Sequence, residues 1–118
     1  MLNLYKLKIA LPYKLKDETS TSQEVSSNYI IFAMNNKNPQ GLEGQARRIF
    51  GRLQAKLDEA IENKSECLEL ETSEFELIKK NIEEAKFPVQ FSQNLLMLEE
   101  AIAEAIKNHY DKTIEEKK

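Results

Sequence analysis

The sheet expected of this chain turns on Asn28-Tyr29-Ile30-Ile31-Phe32-Ala33-Met34. After Asn28 the run is unbroken in its apolar character and rich in β-branched and aromatic residues. Strands covered on both faces show such runs, so residues 28–34 read as the central strand of a small sheet. The polar residues Asn35-Asn36-Lys37-Asn38 then supply turn chemistry.

Upstream, residues 2–13 alternate: Tyr5, Leu7, Ile9 and Leu11 point one way, Lys6 and Lys8 the other. A period of two predicts a half-buried strand, ended by Pro12. Residues 14–27 are polar and aperiodic, and they read as a long loop. Loops longer than about 12–15 residues are uncommon in compact domains and often functional. Lys14-Leu15-Lys16, Asp17-Glu18 and the Ser/Thr-rich stretch that follows make this one a candidate to order on a partner. A floppy strand connection is the plainer alternative.

Downstream, Asn38 serves as N-cap and Pro39 as first residue of the longest predicted helix. Ala46, Ile49, Phe50, Leu53, Leu57, Ala60 and Ile61 recur at spacings of 3 and 4, one apolar stripe running to about Asn63. Cys67 to Glu71 alternates again and reads as a third strand, with Leu68 and Leu70 on its inner side. Ser73 followed by Glu76 is a capping-box signature. It opens a helix with Phe75, Ile78, Ile82 and Ala85 inward, ended by Phe87-Pro88. Ser92 opens a last helix carrying Leu95, Leu98, Ile102, Ala105 and Ile106. The predicted fold class is therefore α+β: a small, mainly antiparallel sheet of about three strands, one long helix and two shorter C-terminal helices, ordered β-β-α-β-α-α. Residues 1–110 read as a single domain and 111–118 as a frayed charged tail.

The chain has 118 residues, 17 Lys+Arg against 20 Asp+Glu, 41% apolar residues, three Gly and three Pro. That is the make-up of an ordinary globular domain, neither collagen-like nor disordered. No apolar run approaches the roughly 18–20 residues that span a bilayer, and Met1-Leu2-Asn3-Leu4-Tyr5-Lys6 lacks the pattern of a signal peptide. The expectation is a soluble, cytoplasmic protein with no membrane partner.

Cys67 and His109 are the sole cysteine and histidine, too few for a zinc, haem or iron–sulfur cluster. Cys67 is flanked by Glu66, Glu69 and Glu71, the wrong electrostatic setting for an activated thiol. No phosphate loop, nucleophile elbow or metalloprotease helix motif occurs. Glu83-Glu84 and Glu99-Glu100 are adjacent pairs that splay across their helices and do not converge. His109 reads as a solvated or helix-terminal side chain. No cofactor, no metal and no catalytic residue are expected.

A binding surface is better represented. At 100° per residue, Gly44, Gly51 and Ala55 lie opposite the apolar stripe of the long helix. A helical glycine costs about 0.5–1 kcal/mol against alanine, so two on one face point to something that approaches the backbone closely. Arg48, Arg52 and Lys56 form a ridge beside them, with Arg47 adjacent. Arginine suits bidentate contact with carboxylate or phosphate. Gly44, Arg47, Arg48, Gly51, Arg52, Ala55 and Lys56 are thus the candidate partner-binding residues, the plain alternative being a solvated face. In the last helix Leu95, Leu96, Met97 and Leu98 reach almost all round, so either the helix is well buried between others, the favoured reading, or one side packs inside and Met97 is left for a second subunit or another protein.

The net charge of −3 conceals a split. Residues 1–59 hold nine basic and six acidic side chains and residues 60–118 eight and fourteen, so the halves carry +3 and −6. The preferred functional expectation is a non-enzymatic protein-binding accessory module (an adaptor, inhibitor or assembly factor) that binds another protein or itself. The alternative is a nucleic-acid-associated accessory protein with Lys6, Lys8, Arg47, Arg48, Arg52 and Lys56 on phosphates.

Overall fold

A computed structural model describes residues 4–13 and 20–117, with side chains as far as Asn108. Strand β1 (Leu4–Lys8) pairs antiparallel with β2 (Cys67–Glu71), in a register that sets Leu4 opposite Glu71 and Lys8 opposite Cys67. The period-two reading holds in both strands. Leu7, Leu68 and Leu70 are buried on one face, while Lys6, Lys8, Cys67 and Glu69 are exposed on the other. Tyr5 joins the inner face and stacks on Phe75 at a centroid distance of 4.2 Å. Beyond Lys8 the pairing ends with Ile9 and Ala10 both donating to the carbonyl of Glu66, at 2.8 and 3.1 Å.

Residues 28–34 are not a strand. They lie in helix α1 (Ser22–Lys37), which also takes up the end of the predicted 14–27 loop; residues 14–19 lie outside those described. A short apolar run cannot by its periodicity alone be told from a segment of buried helix. Local chemistry favours the helix here. Thr21 is the N-cap, its Oγ1 accepting the Glu24 N–H at 3.2 Å. The buried positions Gln23, Ser26, Ser27, Ile30, Ala33 and Met34 recur at helical spacing. The stripe is masked in the sequence because its first half is polar. Those polar atoms are satisfied inside: Ser26 Oγ lies 2.7 Å from Tyr13 Oη and donates to the Ile9 carbonyl at 2.8 Å, and Gln23 Nε2 donates to the Ser65 carbonyl at 2.9 Å.

Asn38, expected as an N-cap, instead ends α1: its backbone N–H and side-chain Nδ2 both donate to the Met34 carbonyl, at 3.0 and 2.8 Å. Helix α2 (Gly44–Asn63) begins later than expected, with Glu43 as N-cap, and ends at Lys64 in the left-handed region (φ 52°). Of its predicted stripe, Leu53, Leu57 and Ala60 are buried, and Ala46, Ile49, Phe50 and Ile61 half-buried.

Helix α3 (Thr72–Glu84) is capped two residues earlier than predicted; the capping box is Glu71 with Glu74, not Ser73 with Glu76. Phe75, Ile78 and Ile82 are buried as expected, with Ala85 partly so just after the helix. A single 3₁₀ turn (Val89–Phe91) leads into α4 (Ser92–Lys117). At 26 residues α4, not α2, is the longest helix. It runs through most of 111–118; side chains from His109 onward, and with them the roles expected of His109 and the charged tail, lie outside those described.

The class is α+β. Among the described residues, however, the sheet has two strands instead of three, and the order is β1-α1-α2-β2-α3-α4. α1 packs along α3 and touches α2; β1 lies on α4; β2 is held by α2 and α3. Leu7, Ile9, Leu53, Leu57, Leu70, Phe75, Ile78 and Leu98 are almost fully buried in one cluster. Each such side chain contributes about 1.5–3 kcal/mol relative to exposure. Among the described residues, no helix is long and apolar enough to cross a membrane.

Candidate functional site

Because α2 is packed on one side only, its outer face is open to solvent. Gly44, Arg47, Arg48, Gly51, Arg52 and Ala55 are all exposed and form a continuous strip along it. Lys56 stands apart. It lies on the flank toward β2, where its Nζ is 2.6 Å from Glu74 Oε1 and donates to the Glu69 carbonyl at 3.1 Å. It thereby neutralises Glu74, which is only 1% exposed.

The two glycines differ. Gly44 has φ +51°, a conformation that side chains rarely adopt, so its glycine has a local backbone cause. Gly51 has helical geometry, and a Cβ there would meet no atom within 4 Å. Among the described residues nothing requires a glycine at 51.

No described residue forms an ion pair or side-chain hydrogen bond with Arg47, Arg48 or Arg52. The same strip continues into carboxylates that the sequence reading did not include: Asp58, Glu59 and Glu62 are exposed and free of ion pairs with described residues. Their signal was the seven-residue spacing of Arg48, Ala55 and Glu62, which places the three in one line along a helix.

The electrostatics of this face are locally unfavourable. Arg48 and Arg52 are like charges at i, i+4, as are Asp58 and Glu62, and each such pair costs about 0.2–0.5 kcal/mol. The first turn of α2 holds no acid and the last turn no base, so the basic half lies toward the positive end of the helix dipole and the acidic half toward the negative end.

Two grooves flank the outer face of the β-ribbon. One, of about 460 Å³, runs between β2 and α2 and is lined by Leu4, Lys56, Glu59, Cys67 and Glu69 among others. The second, of about 510 Å³, runs between β1 and α4, with Lys6 and Lys8 on one wall and Glu100 and Glu104 on the other. Lys6 also faces Glu69 across the strand pair. The lysines of β1 therefore stand among carboxylates, and Glu69 of β2 lies between them and α2. Cys67 is exposed and lines both grooves. No group of three or more His, Cys, Asp or Glu among the described residues could hold a metal ion. Tyr13 has its phenol pushed up to about 12 by burial, but it lines neither groove.

In α4, Met97 is partly buried against the core, and Leu96 is the residue left outside at 55% exposure. The expectation of an outward Met97 is corrected accordingly: one step along a helix turns a side chain through about 100°.

No family model, curated protein or solved structure matches the chain.

Proposed function

We propose that this chain is a non-enzymatic protein-binding module that docks through the outer face of α2. The observation that carries the reading is the set of three exposed arginines, without ion-pair partners among the described residues, around the small positions Gly51 and Ala55. Small residues let a partner approach the helix backbone, and arginine forks fix its orientation on carboxylates. Gly44, Arg47, Arg48, Gly51, Arg52 and Ala55 make the contact, and Lys56 borders it while holding Glu74. A reducing, cytoplasmic setting suits the exposed thiol of Cys67.

The test is purification of the tagged chain from its source cells beside the variant Gly51→Leu. The wild type retains a stoichiometric protein partner, either a different protein or an untagged copy of itself. Gly51→Leu loses that partner and keeps its thermal unfolding transition. Equal retention by both chains overturns the reading. A complex that contains nucleic acid and weakens with a log–log salt slope near −0.9 per neutralised phosphate assigns the arginines to phosphates instead.

A further inference from the structure

We infer that the partner of α2 is a second copy of this chain, with the two α2 helices antiparallel about a two-fold axis at Ala55. Arg48 then meets the partner's Glu62, and Arg52 meets the partner's Asp58. This inference rests on the reading of the α2 face as a docking surface and specifies what covers it.

The charge pattern carries the argument. Arg48 and Glu62 lie seven residues either side of Ala55, and Arg52 and Asp58 three residues either side. All are exposed, and none forms an ion pair with a described residue. A two-fold axis through Ala55 superposes positions equidistant from it, so each arginine meets a carboxylate and the interface is self-complementary. A parallel pair would instead set arginine against arginine and carboxylate against carboxylate.

The same arrangement answers the electrostatic faults of the isolated helix. The like-charge pairs Arg48/Arg52 and Asp58/Glu62 each gain opposite charges from the partner helix. The basic half of each α2 also lies along the acidic half of its neighbour. Packing geometry agrees: Ala55 lies at the crossing, and Gly51, where a Cβ would meet no described residue within 4 Å, faces the partner's Glu59. Small side chains at the crossing permit an interaxial distance near the lower end of about 8–10 Å.

The experiment is a charge swap read by sedimentation equilibrium at low salt. Wild type shows a concentration-dependent dimer that weakens as salt is added, because rim charges are screened. R48E/R52E makes the face predominantly acidic and D58R/E62R predominantly basic; each is folded by circular dichroism and self-associates at least about ten-fold more weakly. Mixed in equal amounts, the two variants form a one-to-one heterodimer. A failure to fold in either variant cannot imitate that restored assembly.

Three results overturn the inference: a wild type that stays monomeric to millimolar concentration, two folded variants that do not pair, or a dimer that survives both swaps and is lost with Leu96→Ser on α4. If wild type is monomeric yet keeps a different protein that Gly51→Leu loses, the self-pairing fails and the docking face stands. If neither association is found, both fail.

Discussion

Lys56 Nζ of α2 lies 2.6 Å from Glu74 Oε1 at the start of α3, and the same carboxylate oxygen accepts the Glu71 backbone N–H at 2.9 Å. One buried carboxylate therefore caps a helix and receives the ammonium of another element. Burying a carboxylate is costly unless it is paired, so this contact holds α2 against the β2–α3 corner. It also explains why Lys56 is not available to the outer face that its sequence spacing suggests.

Lys56→Met leaves Glu74 buried without its cation and lowers unfolding free energy by about 1–3 kcal/mol, since the lysine itself is partly solvated. Glu74→Gln keeps an acceptor for the Glu71 N–H and costs less, about 1 kcal/mol. A double-mutant cycle in urea measures the coupling; additive effects would show that the contact does not hold the corner.

Ser26→Ala removes the hydroxyl that lies between Tyr13 Oη and the Ile9 carbonyl, both inside the core. Leaving such groups unsatisfied costs about 2–3 kcal/mol even with a similar side-chain volume. Denaturant unfolding checks it, and a neutral result would mean that water replaces the hydroxyl.

Tyr13 gives stability a dependence on alkaline pH. Burial, as the largest cause, pushes its phenol from 10.0 to about 12; the Ser26 hydrogen bond pulls the other way, and Tyr29 adds a smaller upward push. With the folded value above the unfolded one, the contribution is fully present below pH 10. It is lost as pH rises through about 12, because the unfolded chain releases its proton first. The loss amounts to about 2–3 kcal/mol. Unfolding curves between pH 9 and 12 for wild type and Tyr13→Phe separate this loss from other titrations; parallel curves would remove Tyr13 as its source.

The glycines respond in opposite directions. Gly51→Ala, in helical geometry with open space around it, raises stability by about 0.5–1 kcal/mol. Gly44→Ala places a side chain at φ +51° and lowers stability by about 1 kcal/mol or more. Thermal unfolding of the two variants reads the contrast as shifts of a few degrees of opposite sign.

Much of the fold was legible because its signals are local. The alternation Tyr5-Lys6-Leu7-Lys8 and that of Cys67–Glu71 place Leu7, Leu68 and Leu70 inward whatever surrounds them, and both strands form. Phe75, Ile78 and Ile82 fall on the buried stripe of α3 for the same reason, with a period of 3.6 in place of 2. The arginine strip of α2 was legible too, since Gly51 and Ala55 lie opposite Leu53 and Leu57, with Arg48 and Arg52 beside them.

Residues 28–34 were decided by tertiary structure. An apolar run of that length satisfies a buried strand and a buried helix equally; what selects the helix is that Gln23 and Ser26 find the Ser65 and Ile9 carbonyls and the Tyr13 hydroxyl. Those partners are far away in sequence, so a buried serine looks like a loop residue until the chain has folded around it. The one local clue was Thr21 with Glu24, spaced as an N-cap and its first-turn acid. In the same way the sequence determined which charges line α2, but only the fold decided which are already used. Lys56 is taken by a carboxylate eighteen residues away, and Arg48 and Arg52 are left facing outward.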